Sequence, residues 1–186
     1  MIERLCITGL PILFLIILFG GGERFRRRHL NMDGDAPIDK TLFYTSKYAI
    51  VALWAVTIAQ GWGLGFSFMK VTPIVRWVAV ALWVAGFALL LIGRFEMGDA
   101  FRIGSPQERT ALKVSGLFRL SRNPMYVGVF ATIVASSLYT LNPAVLLVAA
   151  FIVAVHHRIV WAEEEYLRRA FGDEYTEYCN RVRRYL

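Results

Sequence analysis

Between Arg122 and Arg158 the chain runs for 35 residues, 123–157, without a lysine, arginine, aspartate or glutamate. One helix of that length would measure about 50 Å, against a hydrocarbon core of about 30 Å. A break lies inside the run at "LNPA", residues 141–144, because Pro143 lacks an N–H donor and restrains the residue before it. Two membrane helices meeting at a tight hairpin turn are therefore expected. Three more uncharged stretches precede them: residues 5–22, the 22 residues between Lys47 and Lys70, and the 17 between Arg76 and Arg94. With 56% hydrophobic residues over 186 positions, the composition is too apolar for an ordinary soluble domain. The reading is an all-α integral membrane protein with five transmembrane helices in one domain, residues 1–186.

Lysine and arginine counts orient those helices. They run one before the first stretch, six over residues 24–47, two over 70–76, six over 94–122, none at the Asn142 turn and six from Arg158 onward. This alternation predicts an outside N-terminus and a cytoplasmic C-terminus, and it disfavours a cleaved signal peptide. The net charge of +7 then reads as positive-inside bias plus attraction to anionic lipid. It is divided among three segments, which argues against a nucleic-acid surface. In this topology Cys6 and Cys179 cannot pair with each other.

Two polar segments on the cytoplasmic side can carry chemistry. The first is "GDAFRIGSPQERTALKVSGLFRLSRNPMY", residues 98–126, too polar to span and longer than a minimal connector. At its end Asn123 suits a helix N-cap and Pro124 the first helical position. A helix starting there presents unpaired N–H groups and a positive dipole end, which suit a carboxylate or phosphate. A well-capped membrane helix explains the same residues without a ligand.

The second segment is "AVHHRIVWAEEEYLRRAFG", residues 154–172. A fifth helix starting near Asn142 crosses the core in about 20 residues, so His156, His157 and Arg158 fall inside the leaflet and the glutamates at its edge. Ionisable groups at that depth usually face a bundle interior or a wet cavity. Glu164 with Arg168, and Glu165 with Arg169, have the i,i+4 order of an exposed helix. Glu163 has no such local partner, whereas snorkelling would account for Arg158. A metal site is disfavoured, since HExxH and Glu-x-x-His are absent and His29 is the remaining histidine. "FGGGERF", residues 19–25, reads as a flexible helix end, and Gly61 with Gly65 as a GxxxG packing contact.

Four pieces occur in order: "LKVSGLF" at residues 112–118, "RNPMYVG" at 122–128, Asn142-Pro143, and "EEEYLRRAFGDEY" at 163–175. Over residues 98–184 the chain thereby resembles the membrane methyltransferases typified by isoprenylcysteine carboxyl methyltransferase, with phospholipid methyltransferases as relatives. The resemblance implies S-adenosylmethionine as cofactor, held in a cytoplasmic-side pocket, and an amphipathic C-terminal helix. It implies that Leu112 and Lys113 line the pocket, with Phe118 at the family's tyrosine position. Asn123, Pro124, Met125 and Tyr126 would hold the cofactor at the helix start, and Glu163 or Glu164 its ammonium or ribose end. Arg158 would orient the acceptor, which makes Arg158 and Glu163 the expected catalytic pair. Asn123 stands where the family has histidine, and Arg158 lies five residues before Glu163.

The expected reaction is methyl transfer to the carboxylate of a lipid-linked or small apolar acceptor at the cytoplasmic membrane face. A carboxylate is ionised at neutral pH and needs no general base. A phospholipid amine acceptor would need one, for which Glu163 or His157 could serve. An NADPH-dependent membrane enone or sterol reductase and a non-enzymatic membrane scaffold are the other readings.

Overall fold

The computed structural model describes residues 1–20, 36–98 and 112–186, and every regular element among them is helical. The helices are α1 (Ile2–Gly20), α2 (Lys40–Gly61), α3 (Pro73–Met97), α4 (Pro124–Thr140), α5 (Pro143–Phe171) and α6 (Asp173–Arg181), with a 3₁₀ turn at Gly116–Arg119 before α4. Residues 99–111 of the polar connector, residues 21–25 of the Gly-rich stretch and His29 lie outside the described residues.

Helix starts follow local chemistry. Asp39 accepts from the Leu42 N–H at 3.0 Å to cap α2, and Asn142 accepts from the Ala144 N–H at 2.9 Å to cap α5. Proline occupies the first turn of α3, α4 and α5, where its missing donor costs nothing. Leu141, at φ 41°, and Asn142 form the two-residue connection from α4 to α5.

Helices α1, α2, α3 and α5 are each long and apolar enough to cross a membrane, which makes this a multi-pass membrane chain. Helix α4 is apolar but has 17 residues, about 25 Å of rise, short of the roughly 20 residues of an upright span. Helix α5 has 29 residues, about 44 Å, so it outruns the hydrocarbon and carries its glutamates beyond it.

The core is aromatic: Phe14, Trp54, Trp83 and Phe87 stack edge-on or tilted with centroids 4.8–6.5 Å apart. Helices α3 and α4 cross where Gly86 meets Gly128. A Cβ on Gly86 would stand 2.8 Å from the Gly128 carbonyl oxygen, so neither position admits a side chain. The expected Gly61–Gly65 contact is not the one used. Helix α2 ends at Gly61, and Gly65 lies beyond it in open space. Two side-chain bonds fasten α2 to α4, Trp54 Nε1 donating to Thr132 Oγ1 at 3.1 Å and Thr57 Oγ1 to Ser136 Oγ at 2.9 Å. Both cysteines are free and stand at opposite ends of the bundle.

Candidate active site

At the end of the bundle where α4 begins, the polar end of α5 meets the α4 start and the C-terminal tail. Glu164 is buried at their junction, its side chain 3% exposed. Arg122 donates from Nε to Oε1 at 3.2 Å and from Nη2 to Oε2 at 3.3 Å. Arg184 donates to Oε2 from Nε at 3.0 Å and Nη2 at 2.9 Å, and Asn123 Nδ2 donates to Oε1 at 3.1 Å. One carboxylate therefore bridges two guanidiniums, leaving the cluster one positive charge in excess; its burial is tolerated because both of its oxygens are hydrogen-bonded and Arg184 stays partly exposed.

The expected i,i+4 bond of Glu164 to Arg168 does not form. Glu165 takes both exposed arginines instead, Arg168 at 3.1 Å and Arg169 at 3.8 Å. Asn123 occupies the N-cap position of α4 without capping it, since its amide serves Glu164 and the Arg184 carbonyl. The first-turn N–H groups of α4 are thus left without a side-chain cap.

The tail is tied down by the same residues. Arg122 Nη1 donates to the Cys179 and Val182 carbonyls at 3.2 and 2.9 Å, and the Arg122 N–H donates to the Arg183 carbonyl at 2.9 Å. His157 Nδ1 lies 2.8 Å from the Tyr185 hydroxyl, and the Arg184 guanidinium sits 5.4 Å over the Trp161 ring. Its hydrogen bonds to Glu164 hold the Arg184 guanidinium above its ordinary pKa.

Beside this hub, in the first turn of α4, Tyr126 donates its hydroxyl to Glu163 Oε1 at 2.8 Å. This bond joins the two motif segments directly. Lys47 of α2, with its Nζ 4.5 Å over the Phe43 ring, is within electrostatic reach of Glu163. His156 is buried and its Nδ1 faces the Ile152 carbonyl at 2.9 Å; a carbonyl only accepts, so that nitrogen carries the proton. No cluster of three or more metal-ligating side chains occurs among the described residues.

The loop preceding α4 is built by close approach. Gly116 has φ 64°, and a Cβ there would collide with the Glu96 carboxylate. Glu96 Oε2, at the end of α3, accepts from the Leu117 N–H at 2.8 Å. Phe118 is buried, and its carbonyl accepts from the Tyr178 hydroxyl at 2.6 Å; burial pushes that phenol up to about 12.

Of the expected site residues, Asn123, Tyr126, Glu163 and Glu164 come together, with Pro124 and Met125 between them and Phe118 alongside. Met125 packs into the space left by Gly93 of α3. Leu112 and Lys113 are half-buried at the start of the loop. Arg158 stands apart: it is exposed on α5 and has no ion-pair partner among the described residues. Sequence reasoning missed Glu96, Lys47, Arg122, Arg184 and Tyr185. Arg122 was visible inside "RNPMYVG", but nothing local linked it to Glu164, 42 positions away.

An all-helical membrane chain with this junction of α4 and α5 has known relatives. Residues 74–174 match the family model for phospholipid methyltransferase, and the chain belongs to that family. It is also 28% identical over 121 residues to the protein-S-isoprenylcysteine O-methyltransferase of Saccharomyces cerevisiae, an alignment covering 63% of this chain. The match covers 51% of that relative, so the chain spans about half its length. The family match starts at Ile74, in the first turn of α3, and stops at Glu174, before the tail that closes on Glu164.

Proposed function

We propose that this protein transfers a methyl group from S-adenosylmethionine to the carboxylate of a lipid-linked or small apolar acceptor at the membrane face where α4 begins. The observation that carries the reading is the Tyr126–Glu163 hydrogen bond at 2.8 Å, beside the Glu164 hub, in a chain of the phospholipid methyltransferase family. The identity to a protein-S-isoprenylcysteine O-methyltransferase favours a carboxylate acceptor.

The residues present suit that cofactor. Its ammonium needs a carboxylate, and Glu163 has one oxygen committed to Tyr126 and the other without a hydrogen-bond donor among the described residues. Its carboxylate needs N–H donors, which the uncapped first turn of α4 at Met125 and Tyr126 supplies. Leu112, Lys113, Phe118, Asn123 and Pro124 complete the wall in this reading. Glu164 is the less suitable of the two glutamates, because both of its oxygens are committed to Arg122, Arg184 and Asn123.

The cofactor supplies a methyl group on a sulfonium, released by in-line displacement, so the protein's task is alignment and exclusion of water. Glu163 fixes one end and Tyr126 fixes Glu163. Arg158 holds the acceptor carboxylate by a planar bidentate fork, and its exposed place on α5 leaves it open to an acceptor arriving through the lipid. The accompanying topology has five crossings, with α4 and α5 as the hairpin, the N-terminus outside and the pocket cytoplasmic; the arginine and lysine asymmetry supports it.

A phospholipid amine acceptor is the second reading, favoured by the description of the matching family. There Glu163 acts as the base that removes the amine proton. Titration of the purified protein in detergent with S-adenosylhomocysteine and, separately, NADPH tests the cofactor. Saturable binding of the first alone is expected; binding of NADPH alone would contradict the transferase reading.

A further inference from the structure

The opposite end of the bundle holds a second polar construction. Here the starts of α1, α3 and α5 meet the ends of α2 and α4. Arg76 donates from Nε to Glu3 Oε1 at 2.5 Å and from Nη2 to the Tyr139 hydroxyl at 3.2 Å, while that hydroxyl donates to the same glutamate at 2.5 Å. The carboxylate, one guanidinium edge and the phenol therefore satisfy one another. Beside them opens a cavity of about 190 Å³, lined in part by Gln60, Ser67, Lys70, Arg76 and Tyr139. A single ordered water needs only roughly 10–15 Å³.

Apart from Tyr139, whose proton is given to Glu3, the polar side chains lining this cavity have N–H or O–H groups to donate. Ser67 Oγ is buried without a hydrogen-bond partner. Gln60 spends its carbonyl oxygen on the Phe66 and Ser67 N–H groups, at 2.7 and 3.1 Å, which leaves its amide NH₂ to donate. Arg76 keeps Nη1, and Lys70 brings an ammonium. No carboxylate lines the cavity among the described residues. Charge at this end also runs positive, with Arg4, Lys70 and Arg76 against Glu3. A pocket of donors without an acceptor charge suits an anion with several oxygens.

Exposed apolar residues flank the lining ones along the chain and identify the source of that anion: Phe68 is 76% exposed and Ile74 78% exposed, and Trp62 and Trp77 are exposed as well. Indole rings at a helix end mark the level of lipid headgroups. We infer that this cavity binds the phosphate of an anionic glycerophospholipid, whose acyl chains lie along these apolar residues. The assignment is independent of the methyl-transfer reading, since the two sites occupy opposite ends of the bundle.

The test uses delipidated full-length protein in detergent, its melting midpoint followed during titration with dioleoylphosphatidylglycerol, dioleoylglycerol or inorganic phosphate. The phospholipid should raise the midpoint saturably, while dioleoylglycerol and inorganic phosphate should not. Lys70→Ala should weaken the apparent affinity about fivefold, as expected for one basic residue near an anionic surface. Ser67→Ala, which removes the hydroxyl without adding bulk, should weaken it roughly threefold. Lys40→Ala, a cation removed from the other end, should leave it unchanged. Lys70→Gln stands in for Lys70→Ala should the latter fail to fold. Equal response to dioleoylglycerol, or unchanged affinity in both the Lys70 and Ser67 variants, would overturn the site. Saturation by inorganic phosphate at the phospholipid's affinity would overturn its assignment to lipid.

Discussion

Arg184 reaches back 20 positions to place its guanidinium 2.9 Å from the buried carboxylate of Glu164, which also holds Arg122 from the start of α4. The last residues of the chain are thus part of the site's foundation.

Removing one partner of a buried ion pair costs about 3–5 kcal/mol, because the charges left behind stay buried. Glu164→Ala should lower unfolding stability in detergent by that order, and Glu164→Gln by less, since the amide still accepts a hydrogen bond. Arg168→Ala should change little, its bond being to exposed Glu165. A denaturant or thermal series on the three variants checks the ranking.

Tyr126→Phe and Glu163→Gln should each weaken S-adenosylhomocysteine binding by about tenfold, the scale of one hydrogen bond to a charged group. Glu165→Gln should leave it unchanged. Calorimetry on folded variants reads this directly; a larger loss at Glu165 than at Glu163 would contradict the placement.

Gly116→Ala should distort the loop before α4, because a side chain there meets both an unfavourable φ of 64° and the Glu96 carboxylate. Glu96→Ala should loosen the same loop by freeing the Leu117 N–H, while Glu96→Gln, still an acceptor, should restore most of the order. Hydrogen exchange at Leu117 distinguishes the two glutamate variants.

If Arg158 holds the acceptor's carboxylate, Arg158→Ala should keep cofactor affinity within about twofold while lowering turnover at least tenfold, the loss of one charge-assisted contact. Arg158→Lys should recover part, lacking the planar fork. Equal loss in both assays would place Arg158 on the cofactor or in the fold.

Much of this architecture was legible because membrane helices announce themselves by uncharged length, and Pro124 and Pro143 each marked a helix start. The resemblance assigned Tyr126 and Glu163 to one pocket, but their direct hydrogen bond was not legible, because it joins two helices 37 positions apart. Glu164 was misread for a physical reason. Arg168, at i+4, offered a sufficient local partner, whereas Arg122 and Arg184 reach it only through the turn of the tail. Gly65 failed similarly: its spacing from Gly61 is helical, but α2 ends first. Lys47 gave no signal, since a lone lysine at the edge of an apolar run reads as a boundary marker, and only the fold turns it toward Glu163.

The central claim is methyl transfer to a carboxylate, and the bond formed distinguishes it from its rivals. Purified protein is incubated with S-adenosylmethionine carrying a labelled methyl group, and with either S-farnesylcysteine or phosphatidylethanolamine in mixed micelles. An ester releases its methyl as methanol in alkali, whereas an N-methyl amine keeps it. The account predicts label on the farnesylcysteine, released by alkali and lowered about tenfold by Glu163→Gln at subsaturating S-adenosylmethionine. Label held in alkali-stable form on phosphatidylethanolamine, with none on the farnesylcysteine, would contradict it.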